Sequence, residues 1–325
     1  MMTPSGGDLL VTGANGFIGH RLWSVLRQQL NCRVWAGLRH LEAGDALGIP
    51  AEERRQVVLG DRMAPIDLSG VEVIVHAAAQ VHSMSRAAQQ VMHEVNTQGT
   101  LDLARHAADA GVQRFVFLSS VKVNGESTPP GSVWTEDHQP SPVDAYGLSK
   151  WQAEQGLYEI SAQTGMEIVI VRLPLVYGPG VKGNMATLVK WMRRGVPLPL
   201  KSVRNQRSLL ALDNLVSFIS LCVDRKRSVQ AAGEVFMLSD GEDVSIGELL
   251  QRIAVALGAR AVLLPFPVSL LRFAATVTGR QALAERLLGS LVVDSTKARR
   301  LLGWQTVVSM DQQLRTMSDD PSNRR

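Results

Sequence analysis

A tyrosine and a lysine lie four residues apart in the stretch DAYGLSKWQAE, at Tyr146 and Lys150. On a helix this spacing places both side chains on one face, where they can act together. A free tyrosine is a poor acid–base catalyst because its pKa is about 10, but a neighbouring ammonium group favours the phenolate and lowers that pKa. The pair therefore predicts proton transfer, with Tyr146 as the acid or base and Lys150 as its modulator.

Two serines end the apolar run RFVFLSS, residues 114–120, which precedes this pair and predicts a buried strand. Side chains alternate along an extended segment. Ser120, Lys122 and Asn124 are therefore predicted to share one face, with Ser119 pointing the other way. If Ser120 faces a reacting group, Lys122 and Asn124 are expected to continue that face toward the substrate.

Three glycines, Gly13, Gly16 and Gly19, lie in the N-terminal stretch LLVTGANGFIGHRL, between a predicted strand and a predicted helix. Glycine permits a tight turn and lets the backbone approach a pyrophosphate, whose charge lies at the helix N-terminus. A glycine triplet alone is weak evidence, but its position between the first strand and the first helix is specific. The stretch predicts a binding site for a nicotinamide dinucleotide.

The second predicted strand ends in AGLRH, and this end bears on the choice of cofactor. A carboxylate there would accept the adenosine ribose hydroxyls and select NAD(H), whereas an arginine accommodates a 2′-phosphate. The sequence has Arg39 and no acid before Glu42. NADP(H) is therefore favoured over NAD(H), the alternative being that Arg39 is a solvated surface residue. Asp61 ends the third predicted strand, where it either accepts from the adenine amino group or caps a loop.

Short apolar runs alternate with helical patterns through the first half of the chain. The runs are rich in Val, Ile and Leu, as expected of strands covered on both faces. The predicted strands are residues 8–13, 33–39, 56–61, 71–79, 114–120 and 166–178, and the clearest helical patterns are 87–110 and 146–164. This alternation predicts an α/β fold of the Rossmann type, with a doubly wound parallel sheet.

Beyond residue 178 the alternation loosens. Helices are predicted at 185–194, from an N-cap at Asp213 to 223, from an N-cap at Ser245 to 257, and near 268–276 and 295–302. We predict an NAD(P)-binding domain over 1–178 and a smaller C-terminal α/β substrate-binding lobe over 179–318, from which strands can cross back into the sheet. Residues 319–325 are predicted to be a disordered tail.

The composition excludes several classes of protein. The chain has 325 residues, 45% of them hydrophobic and 20% charged, which is typical of a globular protein. Its net charge of +4 comes from scattered cationic residues and only 5% of residues are aromatic, so a nucleic-acid partner is not expected. The cysteines, Cys32 and Cys222, are far apart, which argues against a disulfide framework or a metal site.

The most apolar late stretch, residues 262–279, is interrupted by Pro265, Pro267 and Arg272. It is too broken to span a bilayer, and a helix of the lobe or of an interface is favoured over a membrane-surface role. The N-terminus has no basic region or cleavage site of a signal peptide. We expect a soluble, cytoplasmic protein with no transmembrane segment.

Together these motifs resemble the short-chain dehydrogenase/reductase superfamily, in its extended branch that acts on nucleotide sugars. TGANGFIG resembles the cofactor turn of the family, HAAA its fourth-strand motif, YGLSK its catalytic tyrosine and lysine, and RLPLVYGPG the segment that lines the nicotinamide. The cofactor contacts that the resemblance implies are made by Gly13, Asn15, Gly16, Phe17, Ile18, Gly19, Ala77, Ala78, Tyr146, Lys150 and Pro174. It also implies a homodimer formed through the helices near 87–110 and 146–164.

The resemblance assigns further roles in the reaction. In this branch the catalytic serine is the second of a serine pair, which falls on Ser120, beside Tyr146 and Lys150. Asn96, in VNTQGT, matches a helix asparagine that either supports the lysine through a water or marks a bend. Candidate contacts to a UDP-sugar are Ser83 and Ser85 after the fourth strand, Asn184 in KGNM, and Arg207, which matches an arginine that binds the UDP phosphates and is otherwise a surface residue of the lobe.

Two departures from the pattern of the branch bear on the substrate. Asn124 stands where the branch commonly has a tyrosine. Near the C-terminus the usual arginine-then-acid pair for the uridine ribose is not evident, because Arg286 is followed by Leu287 and Leu288. Recognition of the uridine by that segment is therefore not expected.

Three functions are compatible with these motifs. SSVKVNGE and GSLVVDSTKARRLLGW are similar to segments of bacterial UDP-N-acetylglucosamine 4-epimerases and of 4-ketoreductases that act on UDP-2-acetamido-2,6-dideoxy-4-keto-hexose for surface polysaccharide. A reductase exchanges its cofactor and commonly draws on NADPH, whereas these epimerases usually retain NAD, so Arg39 favours the reductase. A non-catalytic nucleotide-sensing scaffold is disfavoured because Ser120, Tyr146 and Lys150 are all present.

Overall fold

A computed structural model describes residues 6–60, 66–80, 86–129, 131–279 and 281–319, in which strands and helices alternate. The strands are β1 Asp8–Thr12, β2 Val34–Leu38, β3 Arg54–Gln56, β4 Val71–His76, β5 Arg114–Ser120, β6 Glu167–Leu173, β7 Leu175–Tyr177, β8 Arg207–Ala211, β9 Val235–Met237 and β10 Asp243–Val244. The helices are α1 Phe17–Gln29, α2 Arg86–His93, α3 Gly99–Asp109, α4 Ala145–Thr164, α5 Gly183–Arg193, α6 Leu212–Val223, α7 Ile246–Ala256, α8 Val268–Val277, α9 Gln281–Leu288, α10 Thr296–Leu302 and α11 Met310–Asp319.

Seven parallel strands form the main sheet, in the order β3-β2-β1-β4-β5-β6-β9. The chain winds outward in one direction from β1 to β3 and in the other from β4 to β9. Because parallel strands end at the same edge, the carboxyl ends of β1 and β4 border the crevice at which such sheets bind ligands. The predicted doubly wound Rossmann-type sheet is confirmed.

Both faces of this sheet are covered by helices, which explains the continuous apolar runs in the sequence. Along β5, Val116 and Leu118 point to a core shared with α1 and α6, whereas Phe115 and Phe117 point to a core shared with α3 and α4. The alternation places the two cores on opposite faces of one layer of strands. The helix α4, which carries Tyr146, is therefore packed directly against the sheet.

Several predicted boundaries differ in the structure. The single strand predicted at 166–178 is divided by Pro174 into β6, in the main sheet, and β7, in a three-stranded sheet of order β10-β8-β7. Proline has no N–H to donate to a ladder, so pairing changes there. The helix predicted at 87–110 is α2 and α3 joined by a π-helical turn, Glu94–Gln98. The strand predicted at 56–61 is β3, which ends at Gln56.

Two predicted helix caps have different outcomes. Ser245 caps α7 as predicted, with its side chain accepting from the backbone N–H of Glu248 and the Glu248 carboxylate accepting from the backbone N–H of Ser245. Asp213 is not the N-cap of α6, because that helix begins at Leu212. Asp213 instead lies in the first turn, where it forms an ion pair of 2.8 Å with Arg21 on α1.

The C-terminal half contributes to both the sheet and a second core. β9 forms the seventh strand of the main sheet, and α6 packs against α1. The second core is built mainly from α5, α7, α11 and β8. One strand of the predicted lobe, β9, thus returns to the main sheet, and the boundary at residue 178 stays a prediction. Among the described residues, no helix is long and apolar enough to cross a bilayer.

Candidate active site

The glycine turn between β1 and α1 has no room for side chains. Gly13 has a φ of +67°, and a Cβ added there would lie 2.8 Å from the backbone N of Ala78. A Cβ added at Gly19 would lie 2.2 Å from the carbonyl oxygen of Gly13. The N-cap of α1, Gly16, is exposed and has no side-chain cap. Backbone N–H groups at this helix end are thus open to an anion, and the turn fits the pyrophosphate of a dinucleotide.

Replacing Gly19 by alanine is expected to destabilise the protein by about 1–3 kcal/mol and to weaken cofactor binding, because the new methyl group forces the turn away from Gly13. Thermal unfolding and a titration with NAD(H) measure the two effects. Gly247→Ala is the matched control, since Gly247 also lies in a helix and its added Cβ would have no neighbour nearer than 3.6 Å. Equal stability and cofactor affinity for the two variants would contradict the prediction.

A chain of hydrogen bonds connects the glycine turn to the end of β4 and to the π-helical turn. The backbone N of Ala78 donates to Thr12 Oγ1 over 3.3 Å, and Thr12 Oγ1 lies 2.7 Å from His76 Nδ1. His76 Nε2 lies 3.0 Å from Thr100 Oγ1, which donates to the carbonyl oxygen of Asn96 over 2.8 Å. Because each hydroxyl has one proton, Thr100 accepts from His76 Nε2–H and Thr12 donates to Nδ1. His76 is a buried positioning residue.

Asn96 holds the chain that follows β4. Its Oδ1 accepts from the backbone N of Gln80 over 2.7 Å, and its Nδ2 donates to the carbonyl oxygen of Gln80 over 3.0 Å and to Ser149 Oγ over 3.2 Å. Ser149 precedes Lys150 on α4. Asn96 therefore ties the loop after β4 to the helix of the predicted proton donor, and its support of Lys150 through a water stays a prediction.

Tyr146 and Lys150 lie on the same face of α4, as their spacing predicts. Lys150 is 1% exposed, and its Nζ donates to the carbonyl oxygen of Leu118 on β5 over 2.9 Å. The same nitrogen lies 4.4 Å from the ring centre of Phe117 and 6.0 Å from that of Tyr146. The ammonium group is thus fixed between the end of β5 and the tyrosine.

Burial dominates the pKa values of this pair. It lowers the pKa of Lys150 to about 7, against the opposing effect of the Glu154 carboxylate. It also raises the pKa of Tyr146 to about 12, assisted by the negative charge of Asp144. The lowered tyrosine pKa predicted from the sequence is therefore not found, because burial and the Asp144 carboxylate both favour the neutral phenol. Tyr146 is a neutral phenol at pH 7 and can donate a proton.

Ser120 ends β5, and the chain then leaves the extended conformation. Residues Val121–Val123 form a 3₁₀ turn in which the backbone N of Lys122 donates to Ser120 Oγ over 3.2 Å. The predicted alternation past Ser120 is therefore wrong. A Cβ added at Gly147 would lie 2.6 Å from the carbonyl oxygen of Lys122. This close approach brings the start of α4, and Tyr146 with it, against the turn that Ser120 caps.

The side chains of Lys122 and Asn124 are both engaged within the protein. Lys122 Nζ contacts Glu126 Oε1 at 2.6 Å and Asp144 Oδ2 at 2.5 Å. Asp144 in turn caps α4 by accepting from the backbone N of Gly147 over 2.7 Å. Asn124 is buried, and its Nδ2 donates to the carbonyl oxygen of His138. Both residues brace the walls of the site, and their contact with substrate stays a prediction.

Ser119 points away from Ser120 into a buried polar network. Its hydroxyl donates to Glu154 Oε1 over 2.5 Å, and Arg172 Nη2 donates to Glu154 Oε2 over 2.7 Å. Arg172 Nη1 also donates to Asn124 Oδ1 over 3.0 Å. The network joins α4, β5, β6 and the turn after Ser120, so Ser119 is structural. The sequence signal for it was a charged residue, Arg172, within the otherwise apolar run EIVIVRL.

Two arginines of the lobe approach the segment that follows Ser120. Arg207 Nη1 donates to the carbonyl oxygens of Arg286 and Gly289, at 2.8 and 3.0 Å. Arg286 Nε lies 3.5 Å from Glu126 Oε2. The arrangement gathers two guanidinium groups around Glu126, six residues after the predicted catalytic serine, and a pair of guanidinium groups suits a diphosphate. Asn184 is an exposed residue in the first turn of α5.

The remaining predicted contacts line the carboxyl edge of the sheet or fall outside the described residues. Arg39 is exposed directly after β2, Ala77 and Ala78 directly follow β4, and Pro174 is buried between β6 and β7. Asn15 is exposed in the glycine turn, whereas Phe17 and Ile18 pack against the apolar core. Asp61, Ser83 and Ser85 lie outside the described residues. No group of three or more His, Cys, Asp or Glu in the described part of the chain is placed to hold a metal ion.

Comparison with known proteins decides the family. The NAD dependent epimerase/dehydratase family matches residues 9–247, which include the glycine turn, β5 and α4. The chain belongs to this family. The predicted resemblance to the extended short-chain dehydrogenase/reductase branch, and the prediction of an enzyme, are thereby confirmed. The family is NAD dependent, and the preference for NADP(H) stays a prediction.

Relatives within the family extend over nearly the whole chain. The chain is 37% identical over 306 residues to the UDP-glucose 4-epimerase of Vibrio cholerae, covering 92% of this chain and 90% of the relative. It is 27% identical over 270 residues to the N-acetyl-alpha-D-glucosaminyl-diphospho-ditrans,octacis-undecaprenol 4-epimerase of Escherichia coli O157:H7, covering 81% and 77%. The solved UDP-N-acetylglucosamine 4-epimerase from Bacillus cereus shares the fold, with a TM-score of 0.76, 20% identity, and coverage of 96% and 95%.

Proposed function

We propose that this family member is a 4-epimerase of a sugar carried on a diphosphate, with a UDP-sugar as its substrate. The observation that supports it most is that Lys150 Nζ is fixed at the carboxyl end of β5 on the same helix face as Tyr146, while the start of α4 lies against the turn that Ser120 caps. The sequence favoured a 4-ketoreductase because of Arg39. The similarity to the Vibrio cholerae enzyme supports the epimerase instead, and the ketoreductase becomes the alternative.

The nicotinamide dinucleotide, when bound, would accept a hydride from C4 of the sugar and return it to the other face. The glycine turn would hold its pyrophosphate at the N-terminus of α1. Lys150, fixed by the carbonyl oxygen of Leu118, would hold the nicotinamide ribose. The buried walls formed by β5 and α4 would exclude water from the ring that is oxidised and reduced.

Tyr146 exchanges a proton with the C4 oxygen in this proposal. It accepts the proton while that oxygen becomes a carbonyl and returns it when the hydroxyl forms again. Acceptance requires the phenolate, which burial disfavours, so the charge of protonated Lys150 is needed to stabilise it. Ser120 donates a hydrogen bond to the same oxygen and fixes its position against the tyrosine.

Arg207 and Arg286 would bind the diphosphate. Both guanidinium groups belong to the lobe, and Glu126 joins Arg286 to Lys122 beside the catalytic turn. Binding a diphosphate at the arginines would therefore place the attached sugar next to Ser120. Asn184, on the first turn of α5, would contact the carrier or the sugar from the other side.

Arg39 remains the proposed determinant of cofactor choice. It is exposed at the end of β2, where an adenosine 2′-phosphate would lie. NADP(H) therefore remains the favoured cofactor on the residues, whereas an NAD-retaining epimerase would leave Arg39 in solvent. One experiment separates the two.

The protein, purified without added cofactor, is expected to contain NAD(H) or NADP(H) and to interconvert UDP-glucose with UDP-galactose, or UDP-N-acetylglucosamine with UDP-N-acetylgalactosamine. The released nucleotide identifies the cofactor, and chromatography of the sugar nucleotides measures the conversion. Turnover requires no stoichiometric reductant, because the hydride is returned. Stoichiometric NADPH oxidation with a UDP-4-keto-6-deoxy sugar, without epimerisation, would replace the epimerase by the ketoreductase.

A second candidate carrier for the same sugar chemistry is a polyprenyl diphosphate. The Escherichia coli relative is named for a sugar on undecaprenol diphosphate. One feature of the sequence favours this carrier. Arg286 is followed by two leucines, and not by an acid that could bind the ribose of a uridine. The diphosphate-binding arginines would serve either carrier.

A further inference from the structure

Lys122 is held at three points by the residues around it. Its backbone N donates to Ser120 Oγ over 3.2 Å, and its carbonyl oxygen lies so close to Gly147, in the first turn of α4, that no side chain fits there. Its side-chain nitrogen lies between two carboxylates, 2.6 Å from Glu126 Oε1 and 2.5 Å from Asp144 Oδ2. Lys122 therefore contacts both the predicted catalytic serine and the start of the helix that carries the predicted proton donor.

Charges of opposite sign alternate through this region. Arg286 Nε of the lobe lies 3.5 Å from Glu126 Oε2, and the other oxygen of Glu126 pairs with Lys122. Lys122 also pairs with Asp144, which directly precedes α4. An ammonium group has three donors. Because two carboxylates of the protein already engage the Lys122 ammonium, its charge is committed within the protein.

Asp144 has two effects on Tyr146, which follows it by two residues. Its Oδ1 accepts from the backbone N of Gly147 over 2.7 Å and caps α4, which fixes the first turn, where Tyr146 lies. Burial and the negative charge of Asp144 together raise the pKa of Tyr146 to about 12. A tyrosine that takes up a proton from the sugar must first be a phenolate, and a bare carboxylate beside it opposes that state. Lys122 supplies a cation directly at this carboxylate.

The other charged groups of this region, among the described residues, are arranged around Lys150. Its Nζ lies 6.0 Å from the ring centre of Tyr146. Burial lowers the pKa of Lys150, and the Glu154 carboxylate on the same helix opposes that effect. His76, at the end of β4, has its pKa lowered to about 3 by burial and by the charge of Lys150, so it is uncharged at neutral pH. The charge at Asp144 can therefore be varied separately from these groups.

We propose that Lys122 is a positioning residue of the reaction, which holds the Asp144 carboxylate at the start of α4 and balances its charge beside Tyr146. The part of Tyr146 in the reaction rests on the proposed function. The action of Lys122 on Asp144 rests on the ion pair alone. The substrate contact predicted for Lys122 from the sequence is the competing role, and the two roles differ in what a substitution changes.

The first test is the pH dependence of kcat. Lys122→Met is expected to lower kcat about 10-fold at neutral pH and to leave KM within about threefold, because a tyrosine pKa raised by about one lowers the phenolate fraction about tenfold. Lys122→Arg keeps the charge and is expected to restore most of kcat. Lys297→Met is the matched control, since the Lys297 side chain is 23% exposed against 27% for Lys122 and pairs with Glu234, which directly precedes β9 at the amino edge of the sheet; its kcat is expected to be unchanged.

The second test measures the ionisation of Tyr146 without turnover. The chain has three tyrosines, so a protein isotope-labelled at tyrosine Cζ gives three NMR signals, and Tyr146→Phe identifies the one from Tyr146. Asp144→Asn keeps a residue that can cap the helix and is expected to make Tyr146 titrate at lower pH. Lys122→Met is expected to make it titrate at higher pH. The double variant is expected to titrate like Asp144→Asn, because Lys122 acts through the Asp144 charge.

Each outcome decides the proposal, and circular dichroism establishes which variants are folded. Equal titration of Tyr146 in Lys122→Met and in the unchanged protein overturns it, as does a Lys122→Met effect that persists in full beside Asp144→Asn. If Lys122→Met does not fold, unchanged titration in Asp144→Asn overturns it. A raised KM with an unchanged pH dependence also overturns it and assigns Lys122 to substrate contact. The expected shifts in a protein without epimerase turnover leave the role of Lys122 in place and overturn the proposed function alone.

Discussion

Replacing Tyr146 by phenylalanine is expected to lower kcat by about 10²–10⁴-fold, the contribution of a positioned acid–base group. The phenyl ring keeps the packing against Lys150, whose Nζ is 6.0 Å from the ring centre, and only the hydroxyl that we propose exchanges a proton is removed. Binding of substrate and cofactor is therefore expected to change much less than kcat. Steady-state epimerisation rates measure the first effect, and cofactor content after purification measures the second.

Tyr158→Phe provides the matched control for this prediction. Tyr158 lies on the same helix α4, and burial raises its pKa to about 12 as well. It packs at the edge of the core between the sheet and the helices, away from Ser120 and the glycine turn. Its replacement is expected to leave kcat within a factor of about two. A Tyr146→Phe protein that turns over like Tyr158→Phe would remove Tyr146 from the reaction.

Replacing Arg172 by alanine is expected to lower the free energy of unfolding by about 3–5 kcal/mol, because it leaves a buried carboxylate without its counter-charge. Glu154 is 0% exposed, and Arg172 supplies two of its hydrogen-bonding nitrogens as well as the donor to Asn124. The loss is measured by denaturant unfolding. Since the network also positions the turn after Ser120, kcat is expected to fall in the same variant.

Two comparisons isolate the buried pair. Arg105→Ala removes an exposed pair with Asp102, whose side chains are 55% and 42% exposed, and is expected to cost at most about 1 kcal/mol. Replacing Arg172 by methionine together with Glu154 by leucine removes both charges and is expected to recover most of the loss. A cost for Arg172→Ala as small as that for Arg105→Ala would show that solvent reaches Glu154.

The predictions that held depend on local patterns. The strand at 114–120 was predicted with the bounds it has in the structure, because a buried parallel strand is an unbroken apolar run. The face shared by Tyr146 and Lys150 follows from helical spacing alone. The glycine turn is recognisable because there is no space for a side chain at Gly13 or Gly19, and the sequence therefore has glycine at both positions.

The predictions that failed depend on contacts between distant parts of the chain. The turn at Val121–Val123 lies in close contact with α4 at Gly147, some 25 residues later in the sequence. Side-chain alternation describes only neighbouring residues, so it could not predict that contact. The ion-pair partner of Arg172 could not be predicted from the sequence either. The position of Glu154 in the helical pattern does not distinguish it from a glutamate on the exposed face of a helix. The lowered pKa expected for Tyr146 was wrong because desolvation depends on three-dimensional burial, which the Tyr–Lys spacing does not measure.

The hydrogen bonds from Ala78 to Asn96 have a consequence for proton movement. All donors in this path point the same way, from the N–H of Ala78 through Thr12, His76 and Thr100 to the carbonyl oxygen of Asn96. Both ends are main-chain groups, which neither release nor take up a proton at neutral pH, and burial lowers the pKa of His76 to about 3. Protons therefore cannot be relayed along this path. It links the glycine turn to Asn96, whose side chain is bonded to Ser149 on α4, so it transmits position between that turn and the helix.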